Sequence, residues 1–212
     1  MNTHQRHKLN RPAGIITSLL VTLILLGACG EEQNLPQLTP GAVILAFGDS
    51  LTYGTGAERG ESYPARLQEL IRYPVINAGK PGELSAAGLE RLPALLDKHK
   101  PELLILCHGG NDILRKKEEN GTGTNIRKMI HIARDSGVSV MMMGVPKPGI
   151  FLKSAEFYDE LAEDTGVYYL RDLVPEVLSD NRLKSDPVHP NGRGYALMAE
   201  TIARALKQGG AL

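Results

Sequence analysis

Beyond residue 40 the chain alternates short apolar runs with longer stretches whose apolar residues recur every three or four positions. The runs are Ala42–Phe47, Pro74–Asn77, Leu103–Cys107, Val138–Met143 and Val167–Leu170. A half-exposed strand would alternate apolar and polar residues, so the continuous run Ala42–Phe47 predicts a strand buried on both faces, and the other four runs read as the remaining strands. Helical spacing marks Ser62–Arg72, Ser85–His99, Thr124–Ser136, Ser154–Thr165 and Gly194–Lys207. In the second of these it falls on Leu89, Leu92, Leu95 and Leu96, and in the third on Ile126, Met129, Ile130 and Ala133. Ser62 is a candidate N-cap with Pro64 in the first turn, and Pro93 either bends or delimits its helix. Strands alternating with helices predict an α/β fold, with a parallel sheet between two helical layers.

The N-terminus has a different pattern. Arg6, Lys8 and Arg11 precede an apolar run, Ile15–Leu26, of about a dozen residues. That is short for a membrane span and matches a signal peptide. Leu26-Gly27-Ala28-Cys29 then resembles the lipobox of bacterial lipoproteins, which predicts acylation of Cys29. A plain signal peptide with an incidental cysteine is the alternative. The expected organisation is a lipoprotein signal peptide over 1–28, a lipid-anchored tether over 29–40 and one globular domain over 41–212. A tether reaching at most about 3.5 Å per residue predicts that the functional rim of this domain lies close to the lipid headgroups. Gly30, in place of aspartate, favours the outer membrane of a Gram-negative host by resemblance to lipoprotein sorting signals.

Charge and cysteine content narrow the function. The chain has 24 basic and 24 acidic residues, and the signal segment takes three of the basic ones, leaving a net charge of about −3. Such a surface has no polyanion footprint, so no nucleic-acid partner is expected. With Cys29 acylated, Cys107 is the one remaining thiol, and its apolar run predicts a core position. No His, Cys and carboxylate cluster has metal-ligand spacing, and the glycine-rich Gly48–Gly56 lacks a phosphate-loop ending. Neither a metal nor a cofactor is expected.

In parallel sheets, ligands bind beyond the carboxyl ends of the strands. Phe47-Gly48-Asp49-Ser50-Leu51 follows the first strand, Gly79–Gly82 the second and Gly109-Gly110-Asn111-Asp112 the third. Asp186-Pro187-Val188-His189-Pro190-Asn191 precedes the last helix and can fold over the same rim. A hydroxyl, an imidazole three residues from a carboxylate, a side-chain amide and exposed backbone N–H groups are what acyl-ester hydrolysis needs. Taken singly, Ser50 reads as a turn or capping residue, and Asp186 with His189 as a surface ion pair. Asp49 and Asp112 read as structural hydrogen-bonders, and His108 as a structural histidine. His99 and His131 read as exposed or partly packed, and Met141–Met143 as strand core.

Together the blocks resemble the SGNH (GDSL) hydrolases, in particular the bacterial thioesterase I/lysophospholipase L1 and arylesterase group. The resemblance covers about residues 41–210. It rests on Gly48-Asp49-Ser50-Leu51, Asn77-Ala78-Gly79-Lys80-Pro81-Gly82 with the following Gly88–Leu96, Gly110-Asn111-Asp112 and Asp186–Asn191. It implies a flavodoxin-like three-layer α/β/α sandwich, a single domain whose five-stranded parallel sheet has the order 2-1-3-4-5. It also implies Ser50 as nucleophile, His189 as general base and Asp186 as the residue that orients it. The implied oxyanion donors are the Ser50 N–H, the Gly82 N–H and the Asn111 amide. Lys80 and Glu83 depart from the small polar residues and aspartate common in close relatives, and are expected to alter substrate preference at the rim. The expected function is a cofactor-free serine esterase acting on small acyl esters and held on a membrane through Cys29. The alternatives are a carbohydrate O-deacetylase of the cell envelope and a non-catalytic acyl- or glycan-binding lipoprotein.

Overall fold

The computed structural model describes Met1 and residues 34–212; the expected signal segment and Cys29 lie outside the described residues. Five strands form the sheet: β1 (Ile44–Gly48), β2 (Val75–Gly79), β3 (Leu103–Cys107), β4 (Ser139–Met143) and β5 (Tyr168–Leu170). Every pairing is parallel and the order is β2-β1-β3-β4-β5, as expected. All residues of β1 and β3 are buried, which explains why their sequences are apolar without alternation. Gly48 pairs with Gly79 on one side and Cys107 on the other. The first three strands therefore end level, and the segments that follow them emerge at one rim.

Eight helices complete the described residues: α1 (Ser50–Tyr53), α2 (Tyr63–Ile71), α3 (Ser85–His99), α4 (Gly110–Leu114), α5 (Glu119–Asp135), α6 (Glu156–Thr165), α7 (Leu173–Ser179) and α8 (Gly192–Gln208). α2, α7 and α8 pack as one group, and α3, α5 and α6 as another. Pro93 lies inside α3 and does not end it. α5 starts five residues before the expected Thr124. Gly121 and Gly123 disfavour a helix by propensity, but Thr122 and Gly123 are buried, and Gly123 brings the backbone of α5 close to Phe157 of α6. Tertiary packing overrides the local preference. α1, α4 and α7 have four, five and seven residues, too few for a legible helical period.

One expected feature is corrected. Residues 34–40 are not a free tether. Leu35 and Leu38 are buried, and their N–H groups donate to the carbonyls of Gly209 (2.8 Å) and Ala211 (2.9 Å). The Thr39 N–H donates to the Glu102 carboxylate at 2.9 Å. Two leucines in a polar segment are enough to fix it, because burying each contributes about 2 kcal/mol. Leu35 also lies beside Val138 and Ser139, where β4 begins. The segment thus joins the domain at the end of the sheet opposite the rim, which removes the geometric basis for a rim held at the headgroups. Among the described residues no helix is long and apolar enough to cross a membrane. Cys107 is a buried free thiol whose pKa burial raises well above its ordinary value, and Met141–Met143 are fully buried core.

Candidate active site

The site starts at the end of β1. A Cβ on Gly48 would sit 2.1 Å from the Cys107 carbonyl oxygen, so only glycine lets β1 and β3 close up here. The next residue, Asp49, caps α1 by accepting the Leu51 N–H at 3.1 Å. This cap turns the chain sharply and sets Ser50 at the first position of the helix. The other Asp49 oxygen accepts one Asn111 amide hydrogen at 3.1 Å. Asp49 is buried, and burial raises its pKa against the opposing pull of His108, the Leu51 N–H, Asn111 and His189. Asp49 is thus the structural residue expected, with the added task of orienting Asn111.

His189 comes from the loop before α8. Its Nε2 lies 3.0 Å from Ser50 Oγ and its Nδ1 2.7 Å from Asp186 Oδ2. The second carboxylate oxygen of Asp186 accepts the N–H groups of Val188 (2.8 Å) and His189 (2.9 Å). Partial burial works against this carboxylate, but those donors and the imidazole outweigh it and hold its pKa below the usual range. With Nδ1–H directed at Asp186, the Nε2 lone pair faces the serine hydroxyl. The loop itself is pinned. The Ser185 N–H donates to the His189 carbonyl at 2.9 Å, and Asn191 caps α8 by accepting from Arg193 and Gly194.

Three donors converge opposite this pair. Gly82 has φ +75°, a left-handed conformation that suits glycine, and Arg115 holds its carbonyl at 3.2 Å. Among the described residues, the N–H groups of Ser50 and Gly82 have no protein acceptor. Asn111 spends one amide hydrogen on Asp49 and keeps the other. Ser50, Gly82, Asn111 and His189 line one cavity of about 430 Å³. Its walls are mainly apolar, from Leu114, Val145, Leu152, Leu178 and Val188, with Lys147 and Lys184 also on the lining. Such a site can activate a hydroxyl, receive a developing negative charge and hold an apolar group.

Two residues expected at the rim are elsewhere. Neither Lys80 nor Glu83 lines the cavity. Glu83 is 5% exposed and turned inward to Arg91 and His108, and the Lys80 ammonium reaches back to it at 3.5 Å. There the part-buried Arg91 guanidinium and the buried His108 imidazole supply the hydrogen bonds that this carboxylate gives up by leaving water. His108 is structural, as expected: its Nδ1 accepts the Gly109 N–H at 3.0 Å. Asp112 serves not its own loop but the start of α3, accepting the Ser85 N–H (2.9 Å) and hydroxyl (2.8 Å). His99 is half-buried and His131 exposed. Arg91 falls within the Gly88–Leu96 stretch of the family-like pattern, but nothing in that pattern assigns it a contact, and the 145–152 wall carries neither motif nor period.

The match to known proteins agrees with this geometry. The pattern of the GDSL-like lipase/acylhydrolase family fits residues 46–197. An arylesterase of Vibrio mimicus is 33% identical over 174 residues, 77% of this chain and 87% of that protein. The thioesterase 1/protease 1/lysophospholipase L1 of Escherichia coli is 28% identical over 172 residues, 77% of this chain and 83% of that one. The crystal structure of TesA superposes with a TM-score of 0.72 at 27% identity, covering 79% of this chain and 99% of TesA. With both the sequence pattern and the fold in agreement, the chain belongs to the GDSL-like lipase/acylhydrolase family, enzymes that hydrolyse acyl esters.

Proposed function

We propose that this enzyme cleaves carboxylic esters in two acyl-transfer steps through an acyl-Ser50 intermediate. The carrying observation is the chain of contacts from Asp186 to His189 to Ser50, at 2.7 Å and 3.0 Å. In the first step His189 Nε2 takes the hydroxyl proton as Ser50 Oγ attacks the ester carbonyl. Asp186 keeps the ring in the productive tautomer and stabilises the imidazolium. The carbonyl oxygen becomes an oxyanion that accepts from the Ser50 N–H, the Gly82 N–H and the free Asn111 amide hydrogen. As the tetrahedral intermediate collapses, the imidazolium returns the proton to the leaving alcohol. Water then repeats the sequence on the acyl-enzyme, with His189 again as base, and releases the acid and free Ser50. Every group in the cycle belongs to the chain, so it needs no cofactor.

The cavity walls suit an acyl chain or aryl group better than a sugar. Among the described residues, no Phe, Tyr or Trp lines the cavity to stack on a glycan ring. Aryl esters and lysophospholipids fit this apolar wall, and both kinds of activity appear in the names of its relatives. Acylation of Cys29 would hold the enzyme on a membrane. From Cys29 to the docked Leu35 the chain spans at most about 20 Å, so the domain would sit close to that surface.

The test is turnover of a p-nitrophenyl ester by purified Ser50→Ala protein. A fall in kcat of several orders of magnitude with an unchanged circular dichroism spectrum is expected, since members of such a triad act as a unit. Near-wild-type turnover would refute the assignment.

A further inference from the structure

Behind the oxyanion donors lies a buried cluster that the reaction does not touch. Arg91, on α3, donates from Nη2 to the carbonyls of Gly48 (3.1 Å) and Ala78 (2.8 Å), where β1 and β2 end. Its Nε donates to both Glu83 oxygens at 2.8 and 2.7 Å, and its guanidinium stacks 4.2 Å over the Phe47 ring. Glu83 Oε2 in turn meets His108 Nε2 at 3.2 Å. The other ring nitrogen of His108 accepts the Gly109 N–H, and the His108 carbonyl accepts the Tyr158 hydroxyl at 2.6 Å. A Cβ on Gly88 would sit 2.4 Å from the His108 ring, so α3 is packed against this cluster without slack.

The three side chains grip three different segments. Gly48 lies two residues before Ser50, Glu83 directly follows Gly82, and His108 lies three residues before Asn111. Each of these segments carries one of the three donors. The bonds from Ser85 to Asp112 and from Arg115 to the Gly82 carbonyl tie the second and third segments, and those from Asn111 to Asp49 and from the Lys80 N–H to the Gly48 carbonyl each tie the first segment to one other, whereas the Glu83–Arg91–His108 cluster joins all three. A buried ion pair of this kind is poor evidence for stability, because apolar residues of equal volume often do as well or better. What ions and directional hydrogen bonds add is a fixed geometry. Hydrogen bonds from His108 and Arg91 outweigh burial and lower the Glu83 pKa to about 2, so the carboxylate stays ionised to accept them.

We infer that Glu83, Arg91 and His108 are positioning residues that fix the mutual spacing of the three oxyanion donors. The inference rests on the oxyanion assignment proposed above. Donors help only when they are already aimed at the charge as it develops, and a shift of about 1 Å in such groups costs up to a hundredfold in rate. A field effect would act with the opposite sign. Neutralising Glu83 would leave the Arg91 charge unopposed and so favour the oxyanion.

A double-mutant cycle on the full chain tests this, with a soluble p-nitrophenyl ester as substrate and active sites counted by fluorophosphonate titration. Per titrated site, Glu83→Gln is expected to lower kcat about ten- to a hundredfold with KM changed less than about twofold. Glu83→Asp, which keeps the carboxylate, should recover part of the loss. In an Asn111→Ala background the same Glu83→Gln change should cost less than about threefold, because the hole it supports is already broken. Equal losses in both backgrounds, a loss confined to KM or to the fraction of active enzyme, or a gain in kcat would each overturn the inference. If Asn111→Ala alone has no effect, the oxyanion assignment fails and takes the inference with it. If all of these effects follow except for Glu83→Gln, which fails to fold, Arg91→Lys replaces it in the cycle. Lysine cannot span the Gly48 and Ala78 carbonyls and the carboxylate together, so the same non-additive loss in kcat is expected.

Discussion

Two carboxylate–histidine pairs flank the Ser50 turn, and they differ in what the second ring nitrogen does. In Asp186–His189 the carboxylate takes one nitrogen and the other faces a hydroxyl at the edge of a cavity. In Glu83–His108 both nitrogens are consumed, one by Glu83 and one by the Gly109 N–H, with the ring fully enclosed. The first pair can move a proton and the second cannot. Burial is greater in the second pair, yet the proposed reaction uses the first. An imidazole works as a base through the nitrogen it leaves unspent.

The largest effect that would break this comparison comes from Asp186. Asp186→Asn should lower kcat by about 10³- to 10⁴-fold, because an amide no longer selects the tautomer with a free Nε2 lone pair. Steady-state rates with a p-nitrophenyl ester check this; an unchanged rate would mean that Asp186 does not orient His189.

Asn111→Ala should cost about a hundred- to a thousandfold in kcat/KM, carried by kcat, since its free amide hydrogen acts on developing charge. A change confined to KM would instead make it a ground-state binding residue.

The smallest expected effect sharpens the structural side. The folded-state pKa of Glu83 is lowered from 4.5 to about 2. A depressed carboxylate pKa stabilises the fold above the unfolded value, and the contribution disappears as pH falls through the folded one. Its loss between about pH 4.5 and pH 2 amounts to about 3 kcal/mol. Urea unfolding at pH 7 and pH 3 should therefore show a smaller acid loss in Glu83→Gln than in the native protein. Equal acid losses would show that Glu83 is not held by Arg91 and His108.

Much of this arrangement was legible before any coordinates. β3 and α3 run where their apolar patterns begin and end, because buried strands and amphipathic helices write their period into the chain. Strand order and a shared rim followed from the alternation and the resemblance together. α1 and α4 were illegible because they are single turns that exist to aim Ser50 and Asn111. The packing of Leu35 and Leu38 was hidden because two apolar residues in a polar stretch have no period. Glu83 was misplaced for a related reason. Its partners Arg91 and His108 are eight and 25 residues away, and only the fold brings a charge and its counter-charge together out of water.

The central claim is that Ser50 is the nucleophile, and intact-protein and peptide mass spectrometry after reaction with a fluorophosphonate tests it most directly. The expected result is one adduct per chain, on the peptide carrying Ser50, formed in step with loss of esterase activity and absent from Ser50→Ala. Full inactivation with the adduct on another residue, or no adduct on a protein that hydrolyses esters, would contradict it.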